Sequence, residues 1–336
     1  DMVPVSPDMS NMIPAKLTER PFWDIYLFGN PPLWGAYIDA VKRYGFDGWM
    51  GAPLGPKIYS ASDLRPVSGD DKRKFRTEIL EKTPRAIRAR TYCTTPAGEL
   101  WSENLYFRDE PPWTTRKYVK DLEADFDHLR WFFPDPSSLG GEAYWEQVKA
   151  MGDLGTVGLS VPLPGFQSLF GIVDGGLEEI CRLYLHRHHL IKEYCQMQEE
   201  WIVSYVERGL QIQPEFILIG ASGLLTLQSP RVFRDLSLNA LKRITRMAKR
   251  ADVPTHLHSC GLERYLVEVA TGETDLSSIE PLEPPPHGDC DLAEIKREFG
   301  GKIALKGNLN TTELLFATQK EVCLLYTSPS PRDRTR

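Results

Sequence analysis

Short apolar runs alternate with longer amphipathic stretches along most of the chain, and the spacing of apolar positions separates the two. Brief runs with period two or unbroken apolar character, bounded by Gly, Pro, Asp or Ser, predict strands. They fall at 2–6 (MVPVS), 46–50 (FDGWM), 156–161 (TVGLSV), 215–220 (EFILIG), 253–258 (VPTHLH), 275–280 (DLSSIE) and 302–306 (KIALK). Between them a longer period predicts helices at 33–44, 176–209, 230–250, 262–271, 291–299 and 311–322. Ser229-Pro230 marks a helix start, with Ser as cap and Pro in the first turn. Strands alternating with helices on this scale imply parallel strands joined by crossovers. Seven such strands stand one short of a closed (β/α)8 barrel, so the expected fold is an α/β TIM barrel, truncated before its last strand.

Two segments break the rhythm. Residues 57–112 contain RAIRARTYCTTPAGELWSENLYF, which alternates like a β-hairpin turning at Pro96-Ala97-Gly98. It reads as an excursion between the second and third strands, a lid or a partner surface. After Val322 the chain runs CLLYTSPSPRDRTR, with no apolar period. That stretch resembles a translated sequencing adapter, so residues 1–322 are expected to form one barrel domain and 323–336 a non-native or disordered tail.

Composition narrows the class. The chain has 336 residues, 41% of them hydrophobic, enough for a large core. Net charge is −6, with Lys and Arg scattered along the sequence, which argues against nucleic acid or an anionic membrane as partner. No apolar run approaches the ~20 residues of a bilayer span. Six cysteines without paired spacing read as reduced thiols, and localisation is expected to be cytoplasmic.

The most informative stretch is HLHSCG, 256–261. Alternation puts His256, His258 and Cys260 on one face of an otherwise apolar strand. His258 and Cys260 lie at the strand's C-terminal end, where barrels of this type place their chemistry, and imidazole with thiolate suits a zinc site. His256 lies one pleat deeper and reads as support. Gly220, in the turn Gly220-Ala221-Ser222-Gly223, would allow a ligand close to the backbone, with Ser222 beside it. The run LHRHH (185–189) belongs to an amphipathic helix and reads as a solvated face. His287 and Cys290 read as structural.

Three segments taken together, SPRVFRDLSLNALKRI (229–244), HSCG (258–261) and DCDLAEIKREFGGKIALKGNLNTTELL (289–315), resemble the uroporphyrinogen decarboxylase (URO-D) superfamily. The resemblance implies a TIM barrel and one of two chemistries. Decarboxylases act on uroporphyrinogen without a cofactor and carry an arginine-rich R-Q-A-G-R segment after the first strand. The corresponding DMSNMIPAKLTERPFWDIYLFG has none, with only Lys16 and Arg20 nearby. The corrinoid methyltransferase branch instead holds zinc by His-x-Cys and a later Cys, as His258 and Cys260 would here. On that resemblance the expected activity is methyl transfer to or from a corrinoid protein, with a small methylated substrate or thiol acceptor. Glu283, and less so Glu280, would be metal-associated, and Asn308 would orient substrate. The third zinc ligand would lie beyond Asn308, and Cys323 comes too early for it. A non-enzymatic alternative is an inactive barrel that binds a corrinoid or acts as a scaffold.

Overall fold

The computed structural model describes residues 4–9, 11–55, 72–308 and 311–322. Among the described residues, ten strands form two separate sheets. The larger contains β1 (Gly48–Ala52), β6 (Gly155–Pro162), β7 (Phe216–Gly220), β8 (Thr255–His258), β9 (Ser278–Glu280) and β10 (Ala304–Leu305), side by side in that order and all parallel. The smaller sheet is antiparallel, β2 (Lys74–Lys82), β3 (Ala86–Thr95), β4 (Gly98–Phe107) and β5 (Trp113–Arg116). It fills the chain between β1 and β6.

Every later step between parallel strands is bridged by helices. The β7-to-β8 crossover contains Pro230–Leu236 and Leu238–Arg250, β8-to-β9 contains Arg264–Glu273, and β9-to-β10 contains Leu292–Phe299. Such crossovers are what parallel neighbours require, and the arrangement is consistent with a TIM-type barrel. The strands divide their side chains strictly. Val157, Leu159, Val161, Ile217, Ile219, Leu257 and Ile279 point to the helices and are fully buried in the main core. Each such side chain contributes about 1.5–3 kcal/mol over leaving it in water. The opposite, concave face carries Gly51, Ser160, Leu218, His256, His258, Ser278 and Glu280. It is crowded at depth: a Cβ on Gly51 would come within 2.2 Å of Ser160 Oγ.

Several expectations need correction. Residues 4–6 of the predicted strand 2–6 form no strand, so six parallel strands, not seven, are present among the described residues. Pro4 lacks the N–H that a ladder needs. The segment makes a local exchange instead, Val5 N to Asp47 Oδ2 at 2.7 Å and Asp47 N to Val5 O at 2.9 Å. The first barrel strand is therefore β1. The predicted helix 176–209 is two, Gly176–His186 and His188–Leu210, parting at Arg187. The predicted helix 230–250 parts at Ser237, whose buried hydroxyl accepts from Gln228 Nε2. Its start agrees with the sequence, since Ser229 Oγ accepts from Val232 N.

The excursion over 57–112 lies partly outside the described residues. What is described is four strands rather than one hairpin, with Thr95 opposite Gly98 across the β3–β4 turn. Its inner face packs Ile87, Ala89 and Tyr106 against Trp23 and Leu27, in and just after the helix Phe22–Tyr26. The tail 323–336, with Cys323, lies outside the described residues. Among those described, no helix is long and apolar enough to cross a membrane, and Cys93, Cys181, Cys195, Cys260 and Cys290 are free thiols.

Candidate functional site

Strand register brings the site together. Gly220 pairs with His258, and His258 with Glu280, so the last residues of β7, β8 and β9 form one row along the C-terminal rim. Lys306 follows β10, its N–H bonded to Ile279 O, and extends the row. Four residues spread over 220–306 thereby become neighbours on the concave face.

Glu280 is the hub. Its side chain is 3% exposed, and Oε1 accepts from His258 Nδ1 at 2.9 Å while Oε2 accepts from Lys306 Nζ at 2.6 Å. Burial alone would raise its pKa. The His256 and His258 hydrogen bonds and the Lys306 charge outweigh burial and hold the carboxyl well below its usual range. Lys306 Nζ also lies 3.4 Å from the centre of the Trp49 ring, a cation–π contact that suits a poorly hydrated ammonium.

His258 and Cys260 form the reactive pair. Burial disfavours the imidazolium, yet hydrogen bonds to Cys260 and Glu280 prevail and lift His258 to about 10. Cys260 is lowered, first by the His258 hydrogen bond and against its own burial, with help from the Gly223 backbone N–H. The pair thus favours thiolate and imidazolium. Because Glu280 engages Nδ1, the other ring nitrogen is the one a metal could take, once the imidazolium gives up that proton. His256 lies deeper, with Nδ1 2.7 Å from Ser278 Oγ, Nε2 3.5 Å from Glu280 Oε1, and its ring edge-on to Trp49.

The loops behind this row lock each other. Glu283 Oε2 accepts from Gly261 N at 2.6 Å, and Glu263 Oε2 accepts from Leu282 N at 2.6 Å. Each loop offers a carboxylate to the other's backbone. Glu263 is 0% exposed, and burial raises it to about 8 against those two backbone bonds from Leu282 and Glu283. Its Oε1 is buried with no hydrogen-bond partner.

The other sequence-derived residues fall as follows. Glu283 serves the Gly261 backbone, and Asn308 Nδ2 donates to Leu282 O at 3.1 Å, so both hold loops in place. Gly220 stands opposite His258 with open space where a Cβ would be, while Ser222 is exposed in the following turn. Cys290 is buried beside Asp289, and exposed His287 reaches Thr312. His188 pairs with Asp235 on an outer helix. Lys16 and Arg20 are exposed. Among the described residues, no three His, Cys, Asp or Glu side chains converge as a metal-binding set. Sequence reading passed over Trp49, Glu263 and Lys306. Only Lys306 left a signal, its alternation with Ala304 in KIALK, which puts it on the face opposite Leu305.

Residues 165–325 match the family model described as Uroporphyrinogen decarboxylase (URO-D). Among curated proteins, the chain is 27% identical over 172 residues to uroporphyrinogen decarboxylase of Xanthomonas axonopodis pv. citri (strain 306), covering 46% of this chain and 45% of that protein. It is 26% identical over 130 residues to the enzyme of the same name from Legionella pneumophila (strain Lens), covering 38% and 34%. The chain thus spans less than half the length of the curated relatives it matches. The family match takes in β7 to β10 and the whole rim row, and leaves out the antiparallel sheet.

Proposed function

We propose, from a parallel sheet whose later strands match the URO-D family model, that this protein is a zinc-dependent methyltransferase working with a corrinoid protein. The observation that carries this reading is the rim pair His258–Cys260 with Glu280 behind it. A buried carboxylate on the far nitrogen of an imidazole is the usual support for a metal-binding histidine. A cysteine held toward thiolate beside it supplies a soft second donor. The two donors therefore fit zinc in type, and a catalytic zinc would take one more donor than the described residues bring together. Bound there, zinc would lower the pKa of a thiol acceptor or polarise the oxygen of a methyl ether or alcohol.

The chain's own side chains would do the rest. Glu280 keeps the His258 proton on Nδ1, and Lys306 keeps Glu280 ionised. The carboxylates of Glu263 and Glu283 fix the loops that carry Cys260 and Leu282. The open space at Gly220 leaves room for a small substrate beside His258. The test is metal analysis of protein purified without chelator. About one zinc per chain is expected, falling sharply in Cys260→Ser and His258→Ala but not in His256→Ala. A metal-free parent, or equal loss in all three variants, overturns the reading.

The decarboxylase alternative is favoured by the names of the curated relatives. Gripping a polycarboxylate substrate calls for uncommitted cations at the rim. Lys306 is there, but Glu280 already neutralises it. Release of carbon dioxide from uroporphyrinogen by the zinc-free protein would establish that second reading.

A further inference from the structure

The cations of this chain are spread along its length, but their balance against the acids is not even. Residues 72–120, the antiparallel sheet with its flanks, hold twelve Lys and Arg against six Asp and Glu. With 40 and 46 in the whole chain, the remainder holds 28 Lys and Arg against 40 Asp and Glu. A cationic sheet therefore sits on an anionic body.

The sheet also presents its charge in an ordered way. On β3, Ile87, Ala89, Thr91, Cys93 and Thr95 are buried, so Arg88, Arg90 and Tyr92 stand on the outer face. Register continues that face into cross-strand rows, Arg76–Tyr92–Trp101 and Glu78–Arg90–Glu103. Cations cover the rings: Arg76 lies 4.0 Å from the Tyr92 centre, and Arg90 and Lys120 each 4.1 Å from that of Trp101. A guanidinium stacked on a ring keeps its N–H edge for a carboxylate, and Arg90 already gives that edge to Glu103 at 2.9 Å. Arg76 remains 60% exposed although it touches Glu78, and Arg88 remains 43% exposed although it donates to Glu81 at 3.1 Å. Trp113, on the edge strand β5, is 70% exposed, and Ile79 and Leu80 lie open on the other edge, β2.

We propose that the outer face of this antiparallel sheet docks an acidic protein surface. Arginine forks match carboxylates two bonds at a time, and exposed Trp113 supplies an apolar anchor at the margin. Single-stranded nucleic acid fits less well, because it stacks bases on bare aromatic rings, and Tyr92 and Trp101 are already covered. A continuous phosphate backbone or an anionic membrane would also meet Glu78, Glu81 and Glu99 among the arginines. A protein can interleave its own charges with that pattern. The inference stands independently of the methyl-transfer reading.

The test is fluorescence anisotropy with a labelled oligoglutamate peptide at low and high salt. The unaltered chain is expected to bind the peptide and to lose it as salt rises. Arg76→Glu with Arg88→Glu should weaken binding roughly tenfold or more, and Arg76→Gln with Arg88→Gln by less. Arg246→Glu with Arg250→Glu, an equal charge change on exposed positions of the helix Leu238–Arg250, should leave binding nearly unaltered. Thermal melts identify any variant that fails to fold, in which case the glutamine pair decides. The proposal is overturned if the unaltered chain does not bind oligoglutamate, or if the helix variant loses binding as fully as the sheet variant. It is equally overturned if oligouridylate or phosphatidylserine vesicles are bound in preference to the peptide.

Discussion

The parallel and antiparallel sheets share the two-residue period of side chains, yet they turn it to different ends. In β6 to β9 the apolar set faces outward to helices, and the polar set, from Ser160 to Glu280, faces inward, where strand ends converge. In β3 and β4 the apolar set covers one short helix, and the polar set faces the outside, where Arg88 is exposed and Glu103 is buried against Arg90. Inward polar groups must satisfy each other, so Glu280 gathers two histidines and a lysine. Outward polar groups face water or a partner, so Arg76 and Arg88 stay exposed. The lesson is that alternation alone names a half-buried strand without saying whether its polar side is a site or a surface.

Mutations on the two sheets sharpen the contrast. The largest effect is expected for Glu280→Ala, which leaves the half-buried Lys306 and His258 without their counter-charge. A loss of about 3–5 kcal/mol in urea unfolding is expected, and Glu280→Gln should recover only part of it. Leu257→Ala, on the helix-facing side of the same strand layer, should cost about 2–5 kcal/mol. Equal and small losses from both would mean that the rim row is not the tightly coupled cluster described. Against these, Ile79→Ser on the open edge of β2 should shift stability by no more than about 0.5 kcal/mol.

A smaller, pH-dependent effect belongs to Glu263. Burial raises its pKa from an ordinary 4.5 to about 8, so the folded chain holds a proton that the unfolded chain releases. Its contribution is fully present below about pH 4.5 and is lost as pH rises through about 8. Glu263→Gln cannot ionise. Its stability relative to the parent should therefore climb by about 1 kcal/mol or more between pH 5 and pH 9, measured as paired urea curves. A flat difference would show that Glu263 is ionised throughout.

Much of the parallel sheet was legible because its strands are short apolar runs between turn residues. The helix start at Ser229 was legible because capping is local chemistry. The stretch 2–6 misled because apolar residues around Pro4 look like a strand whatever they pair with. His258 and Cys260 could be singled out because they lie two residues apart, at the end of β8 and in the turn after it. Glu280 drew only a minor role, and Lys306 none, because their importance comes from partners 22 and 26 residues away, which only register brings together. Glu263 was invisible for a related reason. A glutamate in GLERY looks like any solvated helix start until the backbone of another loop is laid across it.

That reciprocal hold between loops has a consequence for motion. Gly261 N–H is bound by Glu283, and Leu282 N–H by Glu263. Neither loop can swing outward without breaking the other's bond as well as its own. The turn after β8 and the loop after β9 should accordingly open as one unit or not at all. Their amide hydrogens at Gly261 and Leu282 should exchange with solvent slowly and at a common rate, as in a shared cooperative opening. Glu263→Ala should speed exchange at both amides together, including Gly261, which Glu263 does not touch. The turn that carries Cys260 would then owe its fixed position to a bond made at the start of the following helix.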